Sequence, residues 1–367
     1  MARDTCSDEK SSWSPRSWSR RVWLIIATVV ILIVVIIVGA VVGVNATKNN
    51  KGDGFNHSYP NYTRLEYSLQ DTYTPENFFQ KFNYYTGWDP AGGFVHYANS
   101  EDAAVYNLTT TLPDRVRVQV DNITKPGDER DASTGRLSVR LESKVQYGPG
   151  LFIFDILHTP YGCATWPALW LTDPNNWPTN GEIDIMESLN QGTSGHIVAL
   201  HTTEGCQMGN LRRDMVGTAD AHDCNNATNH NEGCTVKTSP QTYGPTFNEA
   251  GGGVLALEWR SEGIRSWLWG RGSVPSDISL GGEEGRKPDP SSWGPALADF
   301  PNTNCDIERH FRNQSIVVNI DLCGYFTEAV WGDSGCPGTC KDTVSRQPEA
   351  FRNAYWEFAS FQVWEAR

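Results

Sequence analysis

Residues 181–188 read Gly181-Glu182-Ile183-Asp184-Ile185-Met186-Glu187-Ser188, three carboxylates inside a short, otherwise apolar run with strand character. In a regular strand successive side chains point to opposite faces, so Glu182 and Asp184 share a face and Glu187 should point away from it. A β-bulge around Ile185 and Met186 restores the parity and returns Glu187 to the face of the other two; bulges of this kind occur beside active sites. The α-carbons of Glu182 and Glu187 would still stand about 13 Å apart at ~3.3 Å per residue. Paired acid and nucleophile chemistry at a glycosidic bond needs carboxyls roughly 5 to 5.5 Å apart, which two converging Glu side chains on a curved sheet can reach. The plainer alternative is a solvated strand face carrying three acids.

The flanking sequence bears on that choice. Thr165-Trp166-Pro167-Ala168-Leu169-Trp170-Leu171 and Asn175-Asn176-Trp177-Pro178 bring Trp166, Trp170 and Trp177 immediately upstream of the acids. Sugar rings offer apolar C–H faces that stack on indoles, and hydroxyls that need polar partners at the ring edge. Each Trp alone reads as core before it reads as a platform; tryptophans beside paired carboxylates point to a carbohydrate groove.

The rest of the chain after residue 70 shows few helical periods. Short β-rich segments recur at Val116–Val120, Arg136–Leu141, Leu151–Leu157, Glu182–Glu187, Ile197–Thr202, Gly253–Trp259, Ile264–Trp269, Ser315–Ile320 and Tyr355–Trp364, separated by Gly, Pro, Asn and Asp. Many strands with little helix predict an all-β fold, an antiparallel sandwich or jelly roll. Cys206–Tyr243 and Gly281–Asn304 read as long surface loops. No internal repeat, phosphate-cradling Gly loop or hydrolase Ser elbow is present.

The N-terminal end differs in kind. Val22–Val44 is 23 residues without a charge, long enough as a helix to cross a hydrocarbon core of about 30 Å. It is longer than the apolar region of a secretory signal and follows a polar lead of 21 residues, so a signal-anchor is expected, with a cleaved signal as the alternative. Arg20 and Arg21 abut the span, which places residues 1–21 in the cytosol, residues 45–70 outside as a stalk, and a catalytic domain at 71–367. Cysteine usage agrees: Cys6 precedes the span, and the eight that follow form an even set suited to an oxidising compartment. Eight cysteines allow 105 pairings; Cys224/Cys234 and Cys336/Cys340 are the local candidates. Asn45, Asn56, Asn61, Asn107, Asn122, Asn226 and Asn313 each head an N-x-[ST] triplet. Net charge is −13, or −15 once the five basic and three acidic residues of the first 21 are set aside. Nucleic acid is a poor partner for that surface, whereas a neutral polymer imposes no charge requirement.

With these residues in view a resemblance can be stated. Ser138-Val139-Arg140, Tyr147 to Ile153, His158-Thr159-Pro160, Thr165 to Trp170, Trp177-Pro178, Gly181 to Glu187 and Leu200-His201-Thr202 resemble glycoside hydrolase family 16, in particular its fungal laminarinase-type endo-β-1,3(4)-glucanases. Glu258-Trp259, Ile264 to Trp269, Arg271 to Ile278, Cys305-Asp306-Ile307 and Phe311 to Cys323 continue the likeness, which runs from about Asn77 to the C-terminus. The resemblance implies a concanavalin-like jelly roll with a concave substrate cleft, Glu182 as nucleophile, Glu187 as acid/base and Asp184 as the helper between them. It further implies Trp166, Trp170, Trp177, His201 and Arg271 as substrate-side residues. No cofactor is required. A structural calcium held by an N-terminal Gly carbonyl and a C-terminal Asp is the one metal it suggests; Gly93 fits the first position, but Glu357 replaces the acid expected at the second. Two positions depart from the pattern: Ala164 where Gly is common, and Tyr325-Phe326 where Asp-Trp is common.

Three functional classes follow. One is a retaining endo-hydrolase of β-1,3 or mixed β-1,3/1,4 glucan. Another is a wall-remodelling transglycosylase in which a sugar hydroxyl replaces water, and the third is a glucan-binding lectin without turnover. The expected partners are a β-glucan and, through residues 22–44, a membrane. The chain is expected as a monomeric, single-pass type II protein with its catalytic domain luminal or extracellular, or secreted after signal cleavage.

Overall fold

The computed structural model describes residues 58–128, 132–280 and 287–367. The cytosolic tail, the span expected at Val22–Val44, Cys6 and most of the expected stalk lie outside the described residues. Among those described, no helix is long and apolar enough to cross a membrane.

Two eight-stranded sheets, with one short parallel pair beside them, make an antiparallel sandwich. The acid-bearing sheet runs Thr218–His222, Cys234–Lys237, Ile197–His201, Glu182–Glu187, Thr165–Thr172, Gln314–Leu322, Arg140–Tyr147, Phe82–Tyr84. The second runs Ala298–Pro301, Gly263–Gly270, Gly253–Arg260, Gly150–His158, Tyr355–Ala366, Val116–Gln119, Thr109–Thr111, with Tyr67–Tyr73 also paired to Tyr355–Ala366. Alternation along each strand decides what lies between them. Leu169, Leu171, Ile183, Val198, Leu200, Ile316, Val318 and Ile320 meet Phe152, Phe154, Ile156, Leu255, Leu257, Phe358 and Phe361 in one buried core. The outer face of the second sheet is covered as well: Leu151, Ile153, Val254, Ala256 and Trp364 pack with Tyr67 and Ile278. The outer face of the acid-bearing sheet therefore remains available as a working surface.

The structure corrects several expectations. The folded unit begins before residue 71, because Tyr67–Tyr73 is a strand, and the hydroxyls of Tyr59 and Tyr62 both donate to Asp299 at 2.9 and 3.0 Å. The two expected loops hold short strands, Thr218–His222, Cys234–Lys237 and Ala298–Pro301, the first and last of them at sheet edges. The first of these, Thr-Ala-Asp-Ala-His, carries too little apolar alternation to read as a strand. Four disulfides form, Cys163–Cys336, Cys206–Cys305, Cys224–Cys234 and Cys323–Cys340. Cys224/Cys234 pairs as expected, and Cys336/Cys340 does not. Thr339 caps the helix Cys340–Arg346 by accepting from the Asp342 amide, and the left-handed turn at Gly338 (φ 67°) precedes it. The two cysteines consequently leave the turn toward different partners.

Candidate active site

The Glu182–Glu187 strand is bulged at the expected place. Against Thr165–Thr172 the register steps from Asp184↔Trp170 to Met186↔Leu169, so Ile185 is the extra residue. Ile185 and Met186 both enter the core, and Glu187 comes opposite Ala168 and Ile197, on the face that holds Asp184 opposite Trp170 and Ala199 and Glu182 opposite Thr172 and His201. Placing two consecutive apolar side chains in the core is what turns the third acid outward. Gly181 precedes the strand at φ 76°, where a Cβ would stand 2.5 Å from the His310 carbonyl oxygen; the entry to the acid run needs glycine for both reasons.

The three acids sit in distinct settings. Glu182 is half-buried, while Asp184 and Glu187 are 4 % and 9 % exposed. Trp166 donates its indole N–H to Glu187 Oε1 at 2.6 Å. His201 Nε2 lies 3.2 Å from Asp184 Oδ2, and His201 Nδ1 is 3.1 Å from Asn231 Oδ1. Burial, then the charge of Asp184, raises both Glu182 and Glu187 above the usual carboxylate range. Opposing this are the nearby His201 and a Trp177 hydrogen bond at Glu182, and the Trp166 indole at Glu187. Burial pulls His201 down, but its hydrogen bond to Asp184 and the charges of the surrounding acids outweigh it and hold the imidazole up at about 10. Oxygens of Glu182 and Asp184 and a nitrogen of His201 all lie within 4.8 Å of one another. In that triangle the imidazolium is the counter-cation. The arrangement keeps protons within a cluster of carboxyls at neutral pH, which is the condition for one acid to donate while another attacks.

Of the expected substrate-side residues, Trp166 and Trp170 lie on the acid face, Trp170 donating to Asn319 Oδ1 at 2.8 Å. Trp177, 43 % exposed, rises from the loop before Gly181. Arg271 does not join them. It pairs with Asp155 and donates to the carbonyls of Gly251 and Ile156; Asp155 alternates with Leu151 and Ile153, so it shares their outer face of the second sheet. The calcium pair is not assembled either. Glu357 accepts from Arg117 at 2.7 Å and from Arg115 at 3.5 Å on the second sheet, whereas Gly93 bridges Cys323 at the end of the acid-bearing sheet. Three residues join the site without having been expected there. Arg140 stacks its guanidinium 5.0 Å from the Trp170 ring and 4.6 Å from Tyr85; Asn319 bonds Trp170; Asn231 bonds His201. Asn319 is a polar position inside the apolar run Ile316–Ile320, a signal present in the sequence, whereas Arg140 stands in a strand rich in other polar residues and gives none.

The comparisons with known proteins agree with this geometry. The model described as "XgeA-like, catalytic GH16 domain" matches residues 82–364. A "probable glycosidase" of Schizosaccharomyces pombe is 41 % identical over 311 residues, 84 % of this chain and 71 % of its own. Laminarinase 16A of Phanerochaete chrysosporium, solved with 6-O-glucosyl-laminaritriose in donor and acceptor sites, is 38 % identical with a TM-score of 0.76, covering 82 % of this chain and 99 % of its own. An elongating family 16 β-1,3-glucosyltransferase is 34 % identical with a TM-score of 0.74, covering 82 % and 100 %. Longer relatives also match; the chain spans 65 % of the endo-1,3(4)-β-glucanase of Arthroderma benhamiae. A bulged strand presenting Glu182, Asp184 and Glu187 on one face of a jelly roll, and a catalytic-domain match across residues 82–364, place this chain in glycoside hydrolase family 16.

Proposed function

We propose that the domain hydrolyses internal β-1,3 or mixed β-1,3/1,4 linkages of a β-glucan with retention of configuration. The observation that carries the reading is the bulge, which puts Glu187, with its indole donor, on the same face as Glu182 and the Asp184–His201 pair. In the first step protonated Glu187 gives its proton to the glycosidic oxygen as ionised Glu182 attacks the anomeric carbon; the C–O bond to the leaving sugar breaks and a glycosyl ester forms. In the second, Glu187 takes a proton from water, the hydroxyl adds to the anomeric carbon, and Glu182 departs as carboxylate. Asp184, held by His201, maintains the negative field that keeps Glu187 protonated before the first step. Trp166, Trp170 and Trp177 offer the stacking faces for sugar rings, with Arg140 and Asn319 as polar partners beside them.

A second reading, glucan transfer, has its own support in the likeness to the elongating β-1,3-glucosyltransferase; a sugar hydroxyl then replaces water in the second step. We further propose that the domain works outside the cytosol, anchored through residues 22–44. Four disulfides and the sequons of the folded domain support that placement. Incubating the chain with separate β-1,3-glucan and mixed-linkage glucan, beside Glu182→Gln, tests the set. Shorter products from the wild type alone support hydrolysis, and products longer than an added oligosaccharide support transfer. Binding without turnover would overturn both in favour of a lectin.

A further inference from the structure

Among the described residues the two most exposed large apolar side chains are Trp88, 91 % exposed, and Tyr325, 75 % exposed. Both are aromatic, and both flank the same turn, Asp89–Gly93. The Tyr325 amide donates to the Ala91 carbonyl at 3.1 Å, and the Tyr325 ring lies so close over Gly92 (φ 76°) that a Cβ there would come within 3.0 Å of it. The turn is held from within: Asp89 accepts from the amides of Ala91 and Gly93 at 2.8 and 2.9 Å and from the Tyr97 hydroxyl at 3.3 Å. The backbone that carries both residues is thus fixed by its own hydrogen bonds, and the Tyr325 ring rests on Gly92.

The chain at each of these residues also connects to the catalytic face. From Trp170, opposite Asp184, the row passes through Arg140 to Tyr85, whose amide donates to the Arg140 carbonyl at 2.9 Å and whose hydroxyl donates to the Trp88 carbonyl at 2.7 Å. In the sheet order the Phe82–Tyr84 strand, just before Tyr85, is four strands from Glu182–Glu187, which is about 19 Å at ~4.8 Å per strand. From the other side, Phe326, next to Tyr325, stands edge-on to Trp166 at 5.8 Å, and Trp166 bonds Glu187. An isolated exposed apolar residue needs no explanation; two exposed aromatic residues flanking one internally bonded turn, with the chain at each tied to the substrate face by its own contacts, do.

Resting on the function proposed above, we infer that Trp88 and Tyr325 form a distal stacking platform that binds glucosyl units of a long β-glucan beyond the rings engaged at Trp166 and Trp170. Aromatic faces take the C–H face of a sugar ring whichever linkage joins it to the next, so the platform discriminates chain length. It acts on long polymers and leaves short oligosaccharides unaffected.

The test uses the full chain as wild type, Trp88→Ala, Tyr325→Ala and the double variant, with Trp88→Phe as the conservative control. KM is measured on a β-1,3-linked tetrasaccharide and on long β-1,3-glucan, and glucan affinity is measured in the Glu182→Gln background. The double variant should lose roughly five- to tenfold in affinity for the polymer, with KM rising by about the same factor, on the scale of one or two aromatic contacts. The tetrasaccharide KM should stay unchanged, and Trp88→Phe should retain most of the polymer affinity. Unchanged polymer binding in the double variant, or an equal loss on both substrates, overturns the platform while leaving the hydrolase intact. A wild type that neither binds nor cleaves any β-glucan overturns the functional reading and the platform with it.

Discussion

Replacing Trp166 with Phe removes one interaction whose effect can be worked out beforehand. The indole N–H donates to Glu187 Oε1 at 2.6 Å, and this bond lowers the affinity of Glu187 for its proton against burial and the Asp184 charge, which raise it. A hydrogen bond to a charged group contributes about 1.5 to 3 kcal/mol, and one pKa unit corresponds to ~1.36 kcal/mol. Its loss should therefore raise the Glu187 pKa by roughly one to two units. The profile of kcat/KM against pH reports the free enzyme's groups: its acid limb follows ionisation of the nucleophile and its alkaline limb deprotonation of the acid. In Trp166→Phe the alkaline limb should move up by about one to two pH units while the acid limb moves little. The absolute rate will fall too, since a stacking face shrinks, so the limb positions are the readout and the amplitude is not. An alkaline limb that stays in place or moves down, with the variant folded by thermal melt, would refute the assignment of Glu187 as the acid.

Other perturbations have equally definite outcomes. Asn231→Leu removes the acceptor at His201 Nδ1 and should lower the His201 pKa from about 10, measurable by NMR titration; an unmoved imidazole would show that Asn231 does not support the cation. Because the folded pKa of His201 lies above its ordinary value of 6.5, its contribution to stability is complete below about pH 6.5 and fades as pH rises toward 10. Wild-type Tm should accordingly fall more steeply between these pH values than that of His201→Gln, and parallel curves would contradict the linkage. Asp321 is buried, its Oδ2 has no donor, and burial followed by the Asp89 charge holds its carboxyl well above the usual range. An acid with a raised folded pKa costs stability above its unfolded pKa and not below it. Asp321→Asn should then stabilise the fold by about 1 to 3 kcal/mol near pH 7 and by little near pH 3, in denaturant titrations at the two pH values. Reduction of the disulfides should lower Tm by well over 5 °C, since loops such as that closed by Cys163–Cys336 are long, with a sequence separation of 173; a reduced protein melting with the oxidised one would contradict their structural role.

Much of the site is legible in eight residues. The spacing of Glu182, Asp184 and Glu187 violates strand parity, and a violation inside an apolar run has one inexpensive remedy, a bulge at Ile185–Met186, which is where it occurs. His201 is legible through strand order, because it pairs directly with Glu182. Asn231 is not. It reaches His201 from a run of three left-handed residues, Asn229 to Asn231, inside the loop closed by Cys224–Cys234, and sequence carries no register for such a turn. Arg271 shows the converse error: a likeness along the chain places it in a loop but does not say which face of the sandwich the loop covers, and here the covered face is the outer side of the second sheet. Tyr67–Tyr73 escapes because a polar edge strand resembles the stalk it continues, and Cys336/Cys340 misleads because nearness in sequence outweighs nothing once a capped helix begins between the two.

The central claim is the division of labour between Glu182 and Glu187 in a retaining double displacement. The most direct measurement is azide rescue of Glu182→Ala and Glu187→Ala on a β-linked aryl glycoside, with the anomeric configuration of the glycosyl azide read by NMR. If Glu182 is the nucleophile and Glu187 the acid/base, Glu182→Ala yields the α-azide by a single displacement and Glu187→Ala yields the β-azide through the glycosyl ester. The opposite pair of products, or full activity without azide in either variant, would contradict the account.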